Sequence, residues 1–256
     1  MPDIILNRHI PEGYSAADNS LRDRVILVTG AGDGIGRTAA LTFARYGATV
    51  ILAGRTQEKL EAVYDAIEHA GYPQAAIYAI DLKTATEADY TALAEQLENE
   101  FSRLDGLLHN AAALGERTSI ANYSLASWNQ VMSVNVNAQF MLSKALLPLL
   151  KKSADASIVF TSSGVGRQGR AFWGAYAVSK FATEGFSQVL AAELENTSNI
   201  RANCINPGAT RTRMRATAFP AEDPATIKTP EDIMPTYVYL MGPDSKGVTG
   251  QSIDAQ

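Results

Sequence analysis

Short apolar, β-branched runs recur along the chain, separated by longer stretches with helical periodicity. The runs are "RVILVTG" (24–30), "ATVILAG" (48–54), "AAIYAID" (75–81), "LDGLLHN" (104–110), "ASIVFTS" (156–162) and "IRANCIN" (200–206), with a last short one at "QSIDA" (251–255). They are almost continuously apolar rather than alternating, the mark of strands covered on both faces of a parallel sheet. Helical periodicity fills 34–46, 57–70, 87–102, 123–151, 173–196 and 230–241. Strand alternating with helix predicts an α/β, doubly wound parallel sheet of about seven strands with helices on both faces. Thr229-Pro230-Glu231-Asp232 reads as a helix start: an N-cap, a first-turn proline, and acids at the positive end of the dipole.

Residues 1–21 precede the first strand and read as a loosely held N-terminal arm; 22–256 form one domain. Within it, 209–228 ("ATRTRMRATAFPAEDPATIK") is a long insertion of weak periodicity after a strand's carboxyl end, where a substrate lid is expected.

Composition narrows the partners. The 256 residues carry a net charge of −5, which leaves no basic footprint for nucleic acid or an anionic membrane. No window approaches the ~18 apolar residues of a membrane span, and the N-terminus lacks the basic and hydrophobic regions of a signal peptide, so a cytoplasmic protein is expected. The single cysteine, Cys204, reads as a buried core thiol. Three scattered histidines, His9, His69 and His109, make no metal constellation.

Two local patterns carry chemistry. After the first strand comes Thr29-Gly30-Ala31-Gly32-Asp33-Gly34-Ile35-Gly36, then a helix: a place where backbone can approach a phosphate at a helix N-terminus. Further on, "GAYAVSK" puts Tyr176 and Lys180 at i and i+4 on one helix face. Alone, that pair is no more than coincidence on a solvated helix.

Together the two patterns resemble the short-chain dehydrogenases/reductases, in the branch of about 250 residues with a single Rossmann domain. The resemblance runs from about residue 24 to the end. It comprises Thr-Gly-x-x-x-Gly-x-Gly at 29–36, Asp81-Leu82 after the third strand, Asn110-Ala111 after the fourth, and Asn135 in "SVNVNAQF". Ser163, Tyr176-x-x-x-Lys180, and Pro207-Gly208 with Thr212 complete it. Within the family, "HNAAALG", "SSGVGRQGRAFWGAYAVSKFATEG" and "TPEDIMPTYVYLMG" look most like the YciK-type bacterial members. One departure is Ala112, where the family has a glycine.

The resemblance implies an oxidoreductase that moves a hydride between a nicotinamide and a carbonyl/alcohol substrate. It makes Tyr176 the general acid or base, Ser163 the donor to the substrate oxygen, and Asn135 the holder of a water that connects Lys180 to solvent. An ordinary tyrosine near pKa 10 is poorly matched to that task at neutral pH. A lysine ammonium about 4 Å away would supply roughly 4 kcal/mol at an effective dielectric near 20, or about three pKa units. The implied cofactor contacts are Gly30, Gly32, Asp33, Gly34, Ile35, Gly36, Asp81, Leu82, Asn110, Ala111, Tyr176, Lys180, Pro207, Gly208, Thr210 and Thr212.

Cofactor choice falls at the end of the second strand, where NAD users place an acid for the ribose hydroxyls. Here Gly54 stands in that position and Arg55 follows, so a 2′-phosphate and NADP(H) are expected, with NAD(H) the alternative. Asp33 argues the other way, unless it pairs with Arg55 or caps the helix. Arg167 and Arg170, with Arg211, Arg213 and Arg215 in the lid segment, could receive an anionic substrate group, or could be solvated or serve cofactor and subunit contacts. Phe172, Trp173 and Phe219 form an apolar wall, or belong to core or interface. Relatives usually assemble as homodimers or homotetramers through helices matching 123–151 and 173–196. The rival readings are a cofactor-binding sensor or scaffold without turnover, an NAD-dependent alcohol dehydrogenase, and an epimerase or dehydratase with tightly held NAD.

Overall fold

The computed structural model describes residues 9–256. Seven parallel strands form one sheet in the order β3-β2-β1-β4-β5-β6-β7. They are β1 (Val25–Thr29), β2 (Thr49–Gly54), β3 (Ala76–Ala79), β4 (Gly106–His109), β5 (Ala156–Thr161), β6 (Ile200–Asn206) and β7 (Ser252–Asp254). β1, β4 and β5 are buried along their whole length, which explains their unbroken apolar runs. The short "QSIDA" run pairs parallel to β6 and closes that edge.

The helices are α1 (Gly34–Arg45), α2 (Gln57–His69), α3 (Glu87–Phe101), α4 (Leu125–Met132), α5 (Ala138–Leu150), α6 (Gly174–Leu194), α7 (Arg213–Ala218) and α8 (Met234–Met241). One core cluster joins α1, α2 and α8 to one sheet face through Phe43, Leu60, Ile67 and Tyr237. A second joins α3, α5 and α6 to the other through Tyr90, Leu97, Leu146 and Phe160. The third is small. It lies outside both sheet faces and gathers Val165, Trp173, Tyr176 and Ala177.

Three elements differ from the sequence expectation. The helix expected over 123–151 is interrupted by a π-helical turn at Ser133–Asn137, between α4 and α5. The expected lid contains a helix, α7, capped by Thr212 Oγ1, which accepts from Arg215 N at 3.1 Å. At the start expected near 230, Thr229 and Asp232 bond reciprocally, and a single 3₁₀ turn precedes α8.

Of the N-terminal arm, residues 1–8 lie outside the described residues. The remainder follows the surface and then enters the core. The Tyr14 hydroxyl donates to Asp244 and its ring packs edge-on against Tyr239, while Leu21 is fully buried.

Strand order reverses between β1 and β4, and the carboxyl ends of these two strands open a crevice, the usual ligand position in such sheets.

Candidate active site

One continuous cleft of about 560 Å³ runs along this crevice. At its β1 end the chain turns sharply into α1. Gly30 has φ +69, in the left-handed region. A Cβ on Gly36 would stand 2.3 Å from the Gly30 carbonyl oxygen and 2.4 Å from Asn110 Nδ2. The turn is clamped to β4 by Thr29, whose hydroxyl donates to Leu108 O and accepts from Asn110 N and Ala111 N at 3.0 and 3.1 Å. The clamp persists with Ala112 in place of glycine, and Ala112 lines the cleft.

Asp33 stands at the N-cap of α1, but its carboxylate makes no capping bond. Nor does it pair with Arg55. It accepts from Lys59 Nζ, on α2, at 2.6 Å, and that hydrogen bond and charge hold its carboxyl below the usual range. Lys59, unmarked in the sequence reading, therefore lines the cleft beside the loop. Arg55 is exposed at the cleft wall with no ion-pair partner among the described residues.

This end fits a dinucleotide phosphate group. It offers a glycine cradle that side chains would fill, backbone N–H groups without a side-chain cap at the start of α1, and two cations on the wall, Arg55 and Lys59.

At the other end, Ser163, Tyr176 and Lys180 line the same cleft. Ser163 begins a 3₁₀ turn, Gly164–Gly166, that follows β5. Tyr176 and Lys180 lie one turn apart on α6. Lys180 Nζ donates to Thr161 O at 2.6 Å and lies 5.5 Å from the Tyr176 ring centroid. Burial pushes the Tyr176 hydroxyl up to about 12, with a hydrogen bond to Ser163 acting in the opposite sense. Burial also lowers Lys180 to about 8. Without the positive nicotinamide beside it, burial is the larger influence on the Tyr176 hydroxyl.

Asn135 lies behind the cleft rather than on its lining, fully buried in the π turn. Its Oδ1 accepts from Ala113 N at 2.7 Å; its Nδ2 donates to Ala113 O at 3.0 Å and to Ser179 Oγ at 2.9 Å. Ser179 Oγ in turn donates to Tyr176 O. With its amide donors so committed, the side chain anchors the β4 loop to α6.

Every other cofactor contact expected from the sequence lines the cleft except Gly36, which packs behind the loop: Gly30, Gly32, Asp33, Gly34, Ile35, Arg55, Asp81, Leu82, Asn110, Ala111, Pro207, Gly208, Thr210 and Thr212. The arginines divide. Arg167 is bound away from the cleft, to Ser252 Oγ and Asp254 Oδ1, with Glu184 at 3.7 Å. Arg170 and Arg211 also lie off the lining; Arg211 Nε donates to Pro224 O. Arg213 lies at the glycine-loop end, where its charge reaches Asp33. Arg215 is paired with Glu222 and stacked on Phe219.

Trp173 and Phe219 do wall the cleft, with Leu114 and Met214, whereas Phe172 is 58% exposed outside it. His109, as expected, is a satisfied strand residue: Nε2 meets Ser143 Oγ at 2.9 Å, and burial keeps it neutral, near pKa 3. Cys204 is a buried thiol whose pKa burial raises. Among the described residues no helix is long and apolar enough to cross a membrane, and no group of three metal-ligating side chains occurs.

A seven-stranded, doubly wound sheet with a glycine turn at the strand reversal and a Ser–Tyr–Lys set across the same cleft defines a nicotinamide-dependent oxidoreductase of the short-chain type. The short chain dehydrogenase family matches residues 24–223, and the chain belongs to it. It is 56% identical over 243 residues to the oxidoreductase YciK of Escherichia coli (strain K12), covering 95% of this chain and 96% of that one. It is 33% identical to a 3α-hydroxysteroid dehydrogenase of Mediterraneibacter gnavus, over 90% of this chain and 94% of the relative. A crystal structure of a short chain dehydrogenase from Shigella flexneri 2a complexed with NADP superposes with a TM-score of 0.91. It is 56% identical to this chain and covers 94% of it, against 100% of its own length.

Proposed function

We propose that this protein is an NADP(H)-dependent oxidoreductase interconverting a carbonyl and an alcohol. One observation carries the reading: a single cleft joins the glycine loop and Arg55 to Ser163, Tyr176 and Lys180. The NADP bound by the Shigella relative supports the choice of cofactor.

The start of α1 and the glycine loop hold the pyrophosphate, and Asp81, Leu82, Asn110 and Ala111 line the adenosine side. Arg55 and Lys59 take the 2′-phosphate. Lys59 also neutralises Asp33, so the loop carboxylate does not repel that group. When bound, the cofactor supplies or accepts the hydride at the substrate carbon.

Ser163 Oγ donates to the substrate oxygen and stabilises its developing charge. Tyr176 Oη gives that oxygen a proton in reduction and withdraws it in oxidation. The resulting phenolate needs positive charge nearby. Lys180, fixed on Thr161 O, supplies it, and the proton is replaced from solvent on the Lys180 side. Asn135 is a positioning residue that holds α6 and the β4 loop in register.

Assembly is read from the surface. Val178, Phe181 and Val189 on α6, with Phe140 on α5, are exposed apolar side chains on the helices through which a homodimer or homotetramer would form.

Tyr176→Phe tests the chemistry. It should retain NADPH affinity and lose carbonyl reduction by at least 10³-fold; unchanged turnover would remove Tyr176 from the reaction.

A further inference from the structure

Resting on that function, the walls of the cleft define the substrate. Tyr176 belongs to the small third cluster, with Val165, Trp173 and Ala177 buried. Leu114, Met214, Ala218 and Phe219 are packed against them but still partly exposed, and all four line the cleft. Apolar surface left open around a reacting hydroxyl is surface that a ligand can cover.

The charges at this end are already engaged: Lys180, beside Tyr176, donates to Thr161 O. Arg167 and Arg170, the cations nearest in sequence, do not line the cleft, and Arg167 is tied to Asp254. Arg215 has its charge answered by Glu222 and its guanidinium stacked on Phe219 at 3.7 Å. Arg117 lies over Trp173, 3.9 Å from its centroid, and donates to Ala218 O, bracing the wall without lining it. Arg213 also lines the cleft, close enough for its charge to help hold the Asp33 carboxyl down. Besides Ser163, Tyr176, Lys180 and Arg215, the cleft lining includes the uncharged Gln130 and Thr217.

We infer that the substrate is an uncharged, bulky apolar ketone or secondary alcohol, alicyclic or aromatic, held between Trp173, Met214 and Phe219 with its oxygen on Tyr176 and Ser163. An anionic substrate would lose its hydration there and meet only cations already committed, Lys180 to Thr161 O and Arg215 to Glu222. The backbone supports Trp173 in this role. Phe172, immediately before it, is held at φ +68, a conformation that bulky side chains rarely adopt and that turns the chain as α6 begins.

The test compares 4-methylcyclohexanone, 2-decalone and 4-oxocyclohexanecarboxylate. Reduction by NADPH is followed as kcat/KM, and binding is followed by calorimetry on NADPH-saturated Tyr176→Phe. Both neutral ketones should bind and react at least tenfold better than the carboxylate, the larger one better still. Trp173→Ala should weaken neutral-ketone binding at least tenfold while NADPH affinity holds. Phe219→Leu gives the same direction if Trp173→Ala fails to fold, and Met214→Lys should move preference toward the carboxylate. A carboxylate that binds as well as the neutral pair overturns the inference, as does failure of both neutral ketones to bind. Failure to bind NADPH at all would instead strike the proposed function.

Discussion

Asp33 and Lys59 lie 26 residues apart, on the glycine loop and on α2, and their charged atoms meet at 2.6 Å. The pair converts an acid that would disfavour a 2′-phosphate into part of a neutralised surface, and leaves Arg55 free to bind. Lys59→Ala should therefore weaken NADPH at least tenfold and leave NADH nearly unchanged. Adding Asp33→Asn to that variant should recover most of the loss. Fluorescence titration of these two variants and the unaltered protein checks both statements; if Lys59→Ala weakens both cofactors equally, its role is structural.

Lys180 carries a buried charge that folding must accommodate. Its pKa falls from 10.5 to about 8, so the cost of burying the ammonium is fully present below about pH 8 and fades between there and 10.5. The gross cost is roughly 3 kcal/mol. Part of it is offset by the bond to Thr161 O. In the cofactor-free protein, Lys180→Met should raise stability at pH 7 by about 1–2 kcal/mol, or about 2–8 °C in Tm, while abolishing turnover. That advantage should shrink as pH rises from 8 to 10.5. Melting curves across this range test the sign.

Asn135 makes three hydrogen bonds in a fully buried setting. Asn135→Ala leaves the Ala113 backbone unpaired and should cost about 3 kcal/mol. Turnover should fall while the pH profile keeps its shape, because the residue positions Tyr176 through Ser179 without exchanging protons. A displaced pH profile would argue for a direct part in proton transfer.

Phe172 bears a left-handed backbone and an exposed ring. Phe172→Gly removes steric strain of about 1–2 kcal/mol, less the extra freedom glycine gives the unfolded chain. Thermal unfolding should be unchanged or up to about 4 °C higher. A clear loss of stability would mean that the exposed ring packs against something, such as a second subunit.

The sheet was readable because each strand's cause lies within its own residues: both faces are covered, so "VILVT" and "GLLH" read as strands unaided. Helical periodicity runs through "SVNVN" without a break, and a π turn that adds one residue to the ladder leaves no mark in composition. For Arg167, nearness in sequence to Ser163 and Tyr176 left the substrate and the non-substrate readings both open. The 3₁₀ turn at Gly164–Gly166 redirects the chain, and the guanidinium finds Ser252 and Asp254 on β7. Lys59 was overlooked for the converse reason, since its partner lies across the βαβ unit. Charges that meet in space between elements are what a linear reading loses.

The central claim is that this cleft takes NADP(H). Titration of the purified protein with NADPH and NADH, followed by nicotinamide fluorescence and repeated on Arg55→Ala, tests it most directly. NADPH should bind at least tenfold more tightly than NADH, and Arg55→Ala should remove most of that difference. Equal or tighter binding of NADH would contradict the account and return Asp33 to the ribose.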